Sequence, residues 1–356
     1  MSKFWSETIR RSEPYIPGEQ LNDPDIIKLN TNENPYPPSP KVREAINLEM
    51  NRLHLYPDPT AVSLRQLVAD YYGIDKDWVF AGNGSDEILA FSFMAFFEKG
   101  KKIRYPAVTY SFYPVYANIF HVPAEEISLN RDFTLPVEAF FQSEGGVIFP
   151  NPNAPTSIYL QLDSIREIAE NNPDNVVIVD EAYVDFAEKS AVELTAQFEN
   201  VLVIQTLSKS RSLAGLRVGF AIGHPHLIEG LNRAKDSFNS YTIDRLAMEG
   251  AKAAIQDRTY FKETTAKIIH TRGWVSSEMK KRGFHVLPSQ TNFIFACHYQ
   301  KKALQLYEDL KEQGVLIRYF NKPGIDNYIR VTIGTDEQME IFLRKLDLVM
   351  QGDTLI

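Results

Sequence analysis

Cysteine is nearly absent from this sequence. Only one of the 356 residues is a cysteine, Cys297, which excludes a framework of internal disulfide bonds and agrees with a reducing compartment. The surrounding segment, TNFIFACHY, is typical of a half-buried strand, so we expect this thiol to pack as a small apolar side chain. A cytoplasmic location is expected, because the opening MSKFWSETIRRSEP is charged and lacks the apolar stretch of a secretory signal.

Long apolar runs and excess positive charge are missing as well. The most apolar run, residues 88–97, has about half the length that a membrane span needs and is predicted to be buried in a core. The formal net charge of −8 argues against a broad nucleic-acid surface, which needs clustered Lys and Arg. The histidines show no paired ligand spacing beyond His224 and His226, so no metal site is expected.

Short β-rich segments alternate with helical patterns through the middle of the chain: KKIRYP, GGVIFPNPN, NVVIVDEAY, NVLVIQTLSK and LRVGFAIG. This alternation predicts an α/β fold with a mostly parallel sheet. After residue 267 the pattern predicts a smaller α+β unit, with strands in FHVLPSQTNFIFAC, VLIRYF and NYIRVTIGT and helices over 303–312 and 336–350. The proline-rich LNTNENPYPPSP is expected to be irregular and to join that unit as an arm or edge segment.

The domain boundaries follow from these patterns. We predict an N-terminal arm that forms part of the small domain over residues 1–45, a large domain over 46–266 and a small C-terminal domain over 267–356. Polar residues follow two apolar runs of the large domain: Asp180 comes after one run, and Ser208 and Lys209 come after the next. Because ligands bind outside the carboxyl ends of strands in open α/β sheets, we expect these residues to share one site.

The segment TLSKSRSLAGLRVG, residues 206–219, resembles the lysine-site pattern of the class-II pyridoxal-phosphate-dependent aminotransferases, which have fold type I. The resemblance implies that Lys209 holds pyridoxal 5'-phosphate as a Schiff base, beside groups that bind its phosphate. Ser208 offers a hydroxyl donor, and Arg217 offers a charged fork that suits phosphate. Taken alone, the segment is also compatible with a solvated loop lysine.

Two further segments resemble cofactor-ring contacts of this family. In VVIVDEAY, Asp180 is placed beside the pyridine nitrogen and Tyr183 beside the phenolic oxygen; taken alone, an Asp after a strand is most often a helix cap. The loop NPNAPTS resembles the family's Asn-Pro-Thr-Gly loop but departs from it. The usual asparagine aligns with Ala154, so we assign the second phenolic-oxygen contact to Asn153, with an ordinary turn as the alternative.

The remaining cofactor contacts come from three segments. GNGSDE opens a predicted helix, and its resemblance to the family places the phosphate against Ser85 and Asp86. Tyr110, in YPAVTYSFY, resembles the residue that stacks on the cofactor ring. Tyr56, in LYPDPTA, resembles the tyrosine that reaches the phosphate of the neighbouring subunit, which implies a homodimer. For GNGSDE, the alternative is an ordinary turn that caps the helix. For the tyrosines, the alternative is a buried structural role.

The resemblance covers residues 14–335, and its closest form is the histidinol-phosphate aminotransferase family. The segments PY, LNTNENP and LYPDPTA carry this part of the resemblance. It implies that Arg330 binds the substrate carboxylate or the group replacing it, with Arg318 as a second cationic fork. Tyr15 and Asn32 are placed on the imidazole side of the substrate, although a packed arm explains them equally well.

The activity implied by the resemblance is a ping-pong transamination between L-histidinol phosphate and 2-oxoglutarate, giving imidazole-acetol phosphate and L-glutamate in histidine biosynthesis. Lys209 is then both the covalent anchor and the acid/base, with Asp180 and Tyr183 as the other catalytic residues. The expected partners are these small molecules and a second copy of the chain, without nucleic acid or membrane. An aromatic amino acid aminotransferase, a threonine-phosphate decarboxylase of the same fold and a cofactor-sensing regulatory module are the alternatives.

Overall fold

The computed structural model describes residues 2–20, 23 and 25–351. The strands in this part of the chain are β1 (Ile27–Lys28), β2 (Val79–Gly82), β3 (Ile103–Pro106), β4 (Ala124–Ile127), β5 (Val147–Pro150), β6 (Val177–Asp180), β7 (Val201–Thr206), β8 (Gly219–Gly223), β9 (Phe284–Val286), β10 (Phe293–His298), β11 (Val315–Leu316), β12 (Arg318–Tyr319) and β13 (Ile329–Thr332). The helices are α1 (Glu7–Arg11), α2 (Pro40–Glu49), α3 (Val62–Tyr72), α4 (Gly84–Phe96), α5 (Phe112–Phe120), α6 (Leu162–Glu170), α7 (Val192–Thr195), α8 (Pro225–Phe238), α9 (Arg245–Gln256), α10 (Arg258–Lys281), α11 (Ala303–Glu312) and α12 (Asp336–Gln351).

The central sheet has the strand order β2-β8-β7-β6-β5-β3-β4. The run from β7 to β4 is parallel throughout, whereas β8 is antiparallel to both of its neighbours. Strands β5, β6, β7 and β8 are buried along their whole length, because helices cover both faces of the sheet. The predicted α/β fold with a mostly parallel sheet is confirmed.

Successive side chains of the strands enter two separate apolar cores. Val177 and Val179 of β6 belong to the core on one face, together with residues of α3, α6 and α9. Ile178 faces the other core, which α4, α5 and α8 complete. The most apolar run of the sequence lies mainly in α4, whose buried side chains explain its composition. In the part of the chain that the structure describes, no helix is long and apolar enough to cross a membrane.

The C-terminal unit contains an antiparallel sheet of order β12-β13-β10-β9. The N-terminal arm joins it through β1, which pairs in parallel with β11. The strand predicted over FHVLPSQTNFIFAC is two strands, β9 and β10, because the proline and the polar residues between them interrupt the ladder. Helix α11 coincides with the predicted 303–312, and Cys297 lies half-buried in β10. Helix α10 continues through the predicted boundary between residues 266 and 267.

Candidate active site

A cavity opens at the carboxyl ends of β5, β6 and β7, the edge at which open α/β sheets bind small molecules. The parallel strands bring their end residues to one edge of the sheet, and α4 and the loop after β3 close the other side. The predicted residues that line this cavity are Ser85, Asp86, Tyr110, Asp180, Tyr183, Ser208, Lys209 and Arg217. Segments far apart in the sequence therefore meet at one place.

Asp180 is the last residue of β6 and is only 4% exposed. Burial raises the pKa of its carboxyl to about 6, although a hydrogen bond from Tyr113 opposes the shift. The Tyr113 hydroxyl donates to Asp180 Oδ2 over 2.9 Å, and the Ala182 N–H donates to Oδ1 over 3.3 Å. Sequence reasoning missed Tyr113, because only the packing of α5 against the sheet brings it to this carboxylate.

Lys209 lies in the loop that follows β7. Its Nζ donates to the carbonyl oxygen of Thr31 over 3.4 Å and lies 5.8 Å from the centre of the Tyr183 ring. The loop itself is held by Asn34, whose Nδ2 donates to the carbonyls of Lys209 over 2.9 Å and Ser210 over 3.2 Å. Asn34 was not predicted as a site residue, since the sequence does not show that the arm crosses this loop.

The amino end of α4 forms one wall of the cavity. The helix begins at Gly84, whose φ is +78°, and Ser85 and Asp86 of its first turn line the cavity. The amino end of a helix is a favourable place for an anion. A Cβ atom on Gly84 would lie 2.8 Å from Arg217 Nη2, and one on Gly219 would lie 2.7 Å from the Ser85 nitrogen. Glycine is needed at both positions, because a Cβ atom at either one would crowd the amino end of α4 and the Arg217 side chain beside it. We call this glycine-lined end of α4, with Arg217, the phosphate cradle.

Asp86 connects the cationic and aromatic residues of this wall. Its Oδ2 forms an ion pair with Arg217 Nη2 at 3.0 Å, and its Oδ1 accepts a 2.7 Å hydrogen bond from Tyr110. Burial and the adjacent carboxylate raise the pKa of Tyr110, so its hydroxyl remains a proton donor. Ser208 completes the polar surface, with its Oγ accepting from Thr206 over 2.9 Å.

Asn153 is not brought into the cavity wall. Its Nδ2 donates to the Val108 carbonyl over 3.0 Å and to Thr156 Oγ1 over 2.8 Å, so both amide hydrogens are used within the protein. The residue lines a neighbouring cavity instead. Ala154, the position that aligns with the family's usual asparagine, lines the same cavity as Asp180 and Lys209. The geometry therefore gives no support to the assignment of a phenolic-oxygen contact to Asn153.

Tyr56 is also absent from the cavity wall of its own chain. Its side chain is 79% exposed and packs against Tyr241, with ring centres 4.8 Å apart. The Tyr56 carbonyl accepts a 2.9 Å hydrogen bond from Arg245 of α9, which fixes the loop to the large domain. Tyr56 therefore projects outward from a held loop.

A second cavity, of about 1540 Å³, adjoins the first, since Tyr110 lines both. Tyr15 and Arg318 line this second cavity, and the Tyr15 ring stacks on Phe112 with centres 4.5 Å apart. Arg318 lies beside Phe320, with its guanidinium carbon 5.5 Å from the ring centre. Two of the predicted substrate residues thus line a cavity that shares Tyr110 with the cavity of Lys209.

Arg330 lies on β13 and lines neither of these two cavities. Its Nη2 donates to the Asn30 carbonyl over 2.9 Å, while its buried Nε has no hydrogen-bond partner among the described residues. The guanidinium lies 5.2 Å from the ring of Phe293 and 5.4 Å from that of Phe320. Burial lowers the pKa of Arg330. A half-buried guanidinium whose buried Nε has no partner among the described residues suits an anionic ligand.

Asn32, the last predicted substrate residue, is 2% exposed and lines neither cavity. Its Nδ2 donates to the hydroxyl oxygen of Tyr183 over 2.8 Å. The structure therefore places Asn32 against a cofactor-site residue, where the sequence interpretation had placed it beside the imidazole of the substrate.

Comparison with known proteins identifies the family. The sequence model of the family described as aminotransferase class I and II matches residues 24–346. The chain belongs to this family. Among its relatives, histidinol-phosphate aminotransferase 1 of Oceanobacillus iheyensis is 58% identical over 351 residues, with 99% of each chain covered. The histidinol-phosphate aminotransferase of Clostridium beijerinckii is 55% identical over 354 residues, again with 99% of each covered. The resemblance found in the sequence is confirmed.

The aminotransferase fold is confirmed by solved structures. The histidinol-phosphate aminotransferase of Sinorhizobium meliloti, in complex with pyridoxal 5'-phosphate, superposes with a TM-score of 0.89 and covers 99% of both chains. At 23% identity, this similarity establishes fold type I and no finer property.

Pyridoxal 5'-phosphate, the cofactor of this aminotransferase family, fits the residues present. The glycine cradle keeps the α4 amides open for a phosphate, and the buried Asp180 carboxylate suits a positively charged ring nitrogen. Lys209 lines the same cavity as these two groups. The cavity therefore offers the amino end of α4 for the phosphate, Asp180 for the ring nitrogen and Lys209 for the covalent bond.

Proposed function

We propose that this aminotransferase transfers an amino group between L-histidinol phosphate and 2-oxoglutarate, giving imidazole-acetol phosphate and L-glutamate. The observation that carries the proposal is the near-complete, 58% identical match to a histidinol-phosphate aminotransferase. The site supports it, because one cavity contains the residues for amino transfer and shares Tyr110 with a second cavity that contains Arg318. The half-buried Arg330 lies 5.4 Å from the ring of Phe320, which lines this second cavity. The reaction belongs to histidine biosynthesis.

Four residues orient the cofactor. When bound, pyridoxal phosphate supplies an electron-accepting ring that stabilises negative charge at the α-carbon of the substrate. Asp180 holds the proton on the ring nitrogen, and Tyr113 keeps this carboxylate in place. Tyr183 directs its hydroxyl toward the phenolic oxygen. Ser85 and Arg217 hold the phosphate at the amino end of α4.

Lys209 performs two tasks in the proposed mechanism. Its amine anchors the cofactor covalently and, once displaced by the amino group of the substrate, moves the proton at the α-carbon. The Thr31 carbonyl lies 3.4 Å from Nζ and offers the free amine an acceptor. The two hydrogen bonds from Asn34 hold the loop so that the amine stays at the cavity wall.

The two arginines accommodate substrates with different anionic ends. Histidinol phosphate presents a phosphate, whereas glutamate presents carboxylates, and a guanidinium fork binds either group. Arg318 lines the outer cavity, and the unpaired Nε of Arg330 is available close by. Tyr15 lines the same cavity as Arg318 and supplies an aromatic surface for the imidazole ring.

The substrate assignment is tested by half-reactions of the cofactor-loaded enzyme. We expect L-histidinol phosphate to convert the cofactor's visible spectrum at low substrate concentration, because its phosphate and imidazole both find partners. The second-order rate constants for phenylalanine, tyrosine and phosphothreonine should be at least about tenfold lower, since each of these compounds lacks the phosphate or the imidazole. Efficient reaction of phenylalanine with an unchanged spectrum for histidinol phosphate would instead favour the aromatic aminotransferase. Release of carbon dioxide from phosphothreonine would favour the decarboxylase.

We propose a homodimer in which Tyr56 completes the phosphate site of the partner subunit. The Tyr56 ring packs against the exposed Tyr241, and the preceding residues Leu53 and Leu55 are exposed apolar side chains as well. Exposed apolar surface of this kind is typical of protein interfaces. The occupant is a second copy of the chain, because Tyr56 is held on a fixed loop but lies outside its own cavity.

Hybrid dimers test this shared site. Tyr56→Ala chains should form dimers with weakened cofactor binding, and Lys209→Ala chains should form inactive dimers. After the two are mixed and exchanged, activity should exceed that of either parent, because each mixed dimer has one site with both native residues. Sedimentation of the parents controls for assembly. Failure to regain activity in demonstrably mixed dimers would contradict the proposal.

A cytoplasmic location is part of the proposal. The single cysteine agrees with a reducing compartment, and the proposed substrates are phosphorylated metabolites. Fractionation of the producing cells should find the enzyme's activity with other cytoplasmic enzymes.

A further inference from the structure

Asn32 lies where the N-terminal arm, the C-terminal sheet and the cofactor cavity meet. Its Nδ2 donates to Tyr183 Oη over 2.8 Å, and its Oδ1 accepts from Thr332 Oγ1 over 3.1 Å. Both polar atoms of the side chain are therefore used in one line of hydrogen bonds. This line leads from β13 to a residue of the cavity wall.

The hydrogen bonds in this line share one direction. Thr332 Oγ1 already accepts the backbone N–H of Asn32 over 3.0 Å, which leaves its own proton for Asn32 Oδ1. The amide of Asn32 then presents only donors to Tyr183. Because Tyr183 Oη accepts this bond, its own proton is left to donate, and successive donors in such a chain polarise one another.

The backbone of Asn32 makes the arrangement rigid. Its φ is +57°, a left-handed conformation that suits Asn, Asp or Gly. Its carbonyl accepts a 3.0 Å hydrogen bond from Asn292 Nδ2, and the side chain is almost fully buried. The amide therefore has little freedom to turn away from Tyr183.

We propose that Asn32 and Thr332 are positioning residues that direct the Tyr183 hydroxyl into the cavity as a donor to the cofactor's phenolic oxygen. The inference rests on the proposed contact between Tyr183 and the cofactor. It also joins two parts of the site, because β13 carries both Thr332 and Arg330. The strand that holds the substrate's anionic end thus also begins the donor chain to the cofactor.

The pH midpoint of the cofactor's visible absorbance change tests this inference. Tyr183→Phe should raise the midpoint by about one pH unit, because loss of a donor disfavours the negatively charged phenolic oxygen. Asn32→Gly, which tolerates the left-handed backbone, and Thr332→Val should raise it in the same direction by smaller amounts. In a Tyr183→Phe background, neither substitution should move the midpoint further, since the donor that they orient is gone.

Two matched variants separate this effect from general damage. Thr332→Ser keeps the hydroxyl and should restore the wild-type midpoint. Thr271→Val removes a buried hydroxyl from α10 that bonds to Asp336, outside this line, and should leave the midpoint unchanged. Thermal unfolding and cofactor content establish that each variant is folded and loaded.

Three results would overturn the inference. If Asn32→Gly and Thr332→Val both kept the wild-type midpoint while Tyr183→Phe shifted it, the orientation of the Tyr183 hydroxyl would not depend on Asn32 or Thr332. Persistence of their shifts in the Tyr183→Phe background would show that they act by another route. An unshifted Tyr183→Phe would remove the contact on which the inference rests, while the substrate half-reactions would still decide the proposed function independently.

Discussion

Substitution of Lys209 by alanine is expected to abolish transamination and the visible absorbance of the covalently attached cofactor. Lys209 is placed to supply both the amine that forms the covalent bond and the base that moves the α-proton, so one substitution removes two functions. We expect the turnover number to fall by at least about 10⁴-fold, as for other residues that act as nucleophile and base together. Absorbance spectra and steady-state assays with histidinol phosphate and 2-oxoglutarate measure the two effects.

The phosphate cradle should survive in this variant. Ser85, Asp86 and Arg217 do not depend on Lys209 for their hydrogen bonds or ion pair, so the Lys209→Ala protein should still bind the cofactor non-covalently. Lys101→Ala is a matched control, because this lysine pairs with Glu98 on the exposed surface. Substantial turnover together with the native spectrum in Lys209→Ala would show that another amine performs the chemistry.

Substitution of Asp180 by asparagine is expected to lower the turnover number by about 10³-fold. Asparagine keeps the shape of the side chain but lacks the charge that holds a proton on the ring nitrogen. Removing one partner of a buried charge pair costs about 3–5 kcal/mol, which corresponds to a loss of this size. The Km for each substrate should change much less, because Asp180 lies at the ring and away from Arg318 and Arg330. A wild-type turnover number for Asp180→Asn would contradict the assigned role.

The affinity for the cofactor should depend on pH through the same carboxyl. Burial raises the pKa of Asp180 to about 6 in the protein without cofactor, so the carboxyl gains a proton as the pH falls through this value. A protonated Asp180 has no charge to pair with the ring nitrogen. Affinity for pyridoxal phosphate should therefore fall from pH 7 to pH 5, beyond the decline that the cofactor's own titration causes.

Two variants isolate this contribution. Asp180→Asn should lose the extra decline near pH 6, while Glu181→Gln should keep it. Glu181 is the neighbouring buried carboxyl, and burial raises its pKa to about 7. Its oxygens, however, accept hydrogen bonds from Ser190, Ala191 and Gln205, away from the cavity. If Glu181→Gln also removed the extra decline in cofactor affinity near pH 6, the titrating group would be Glu181 instead.

Much of the fold could be predicted because the buried strands are unusually clear in the sequence. The runs that became β5, β6, β7 and β8 are mostly apolar, and their residues are buried along the whole of each strand, as is typical of strands covered on both faces. The interruption between β9 and β10 was missed, because a local apolar pattern does not show where a ladder loses its partner. The arm's pairing through β1 depends on a strand nearly 290 residues later.

The residues of the site divide in a similar way. Lys209 and Asp180 were found because each follows an apolar strand and stands in a recognisable segment. Tyr113 and Asn34 were missed, since their partners are 67 and 175 residues away in sequence. Asn153 was placed from a loop pattern, but the fold turns its amide toward Val108 and Thr156.

The sequence by itself determined the family, the order of the strands along the chain and the chemical groups available for amino transfer. Only the tertiary structure decided which of those groups meet. Asp180 enters the cavity while the adjacent Glu181 turns away, and the side chain of Asn32 bonds to Tyr183. The reason is physical: residue type and local periodicity are encoded over a few positions, whereas a hydrogen bond between distant segments exists only after both domains have packed.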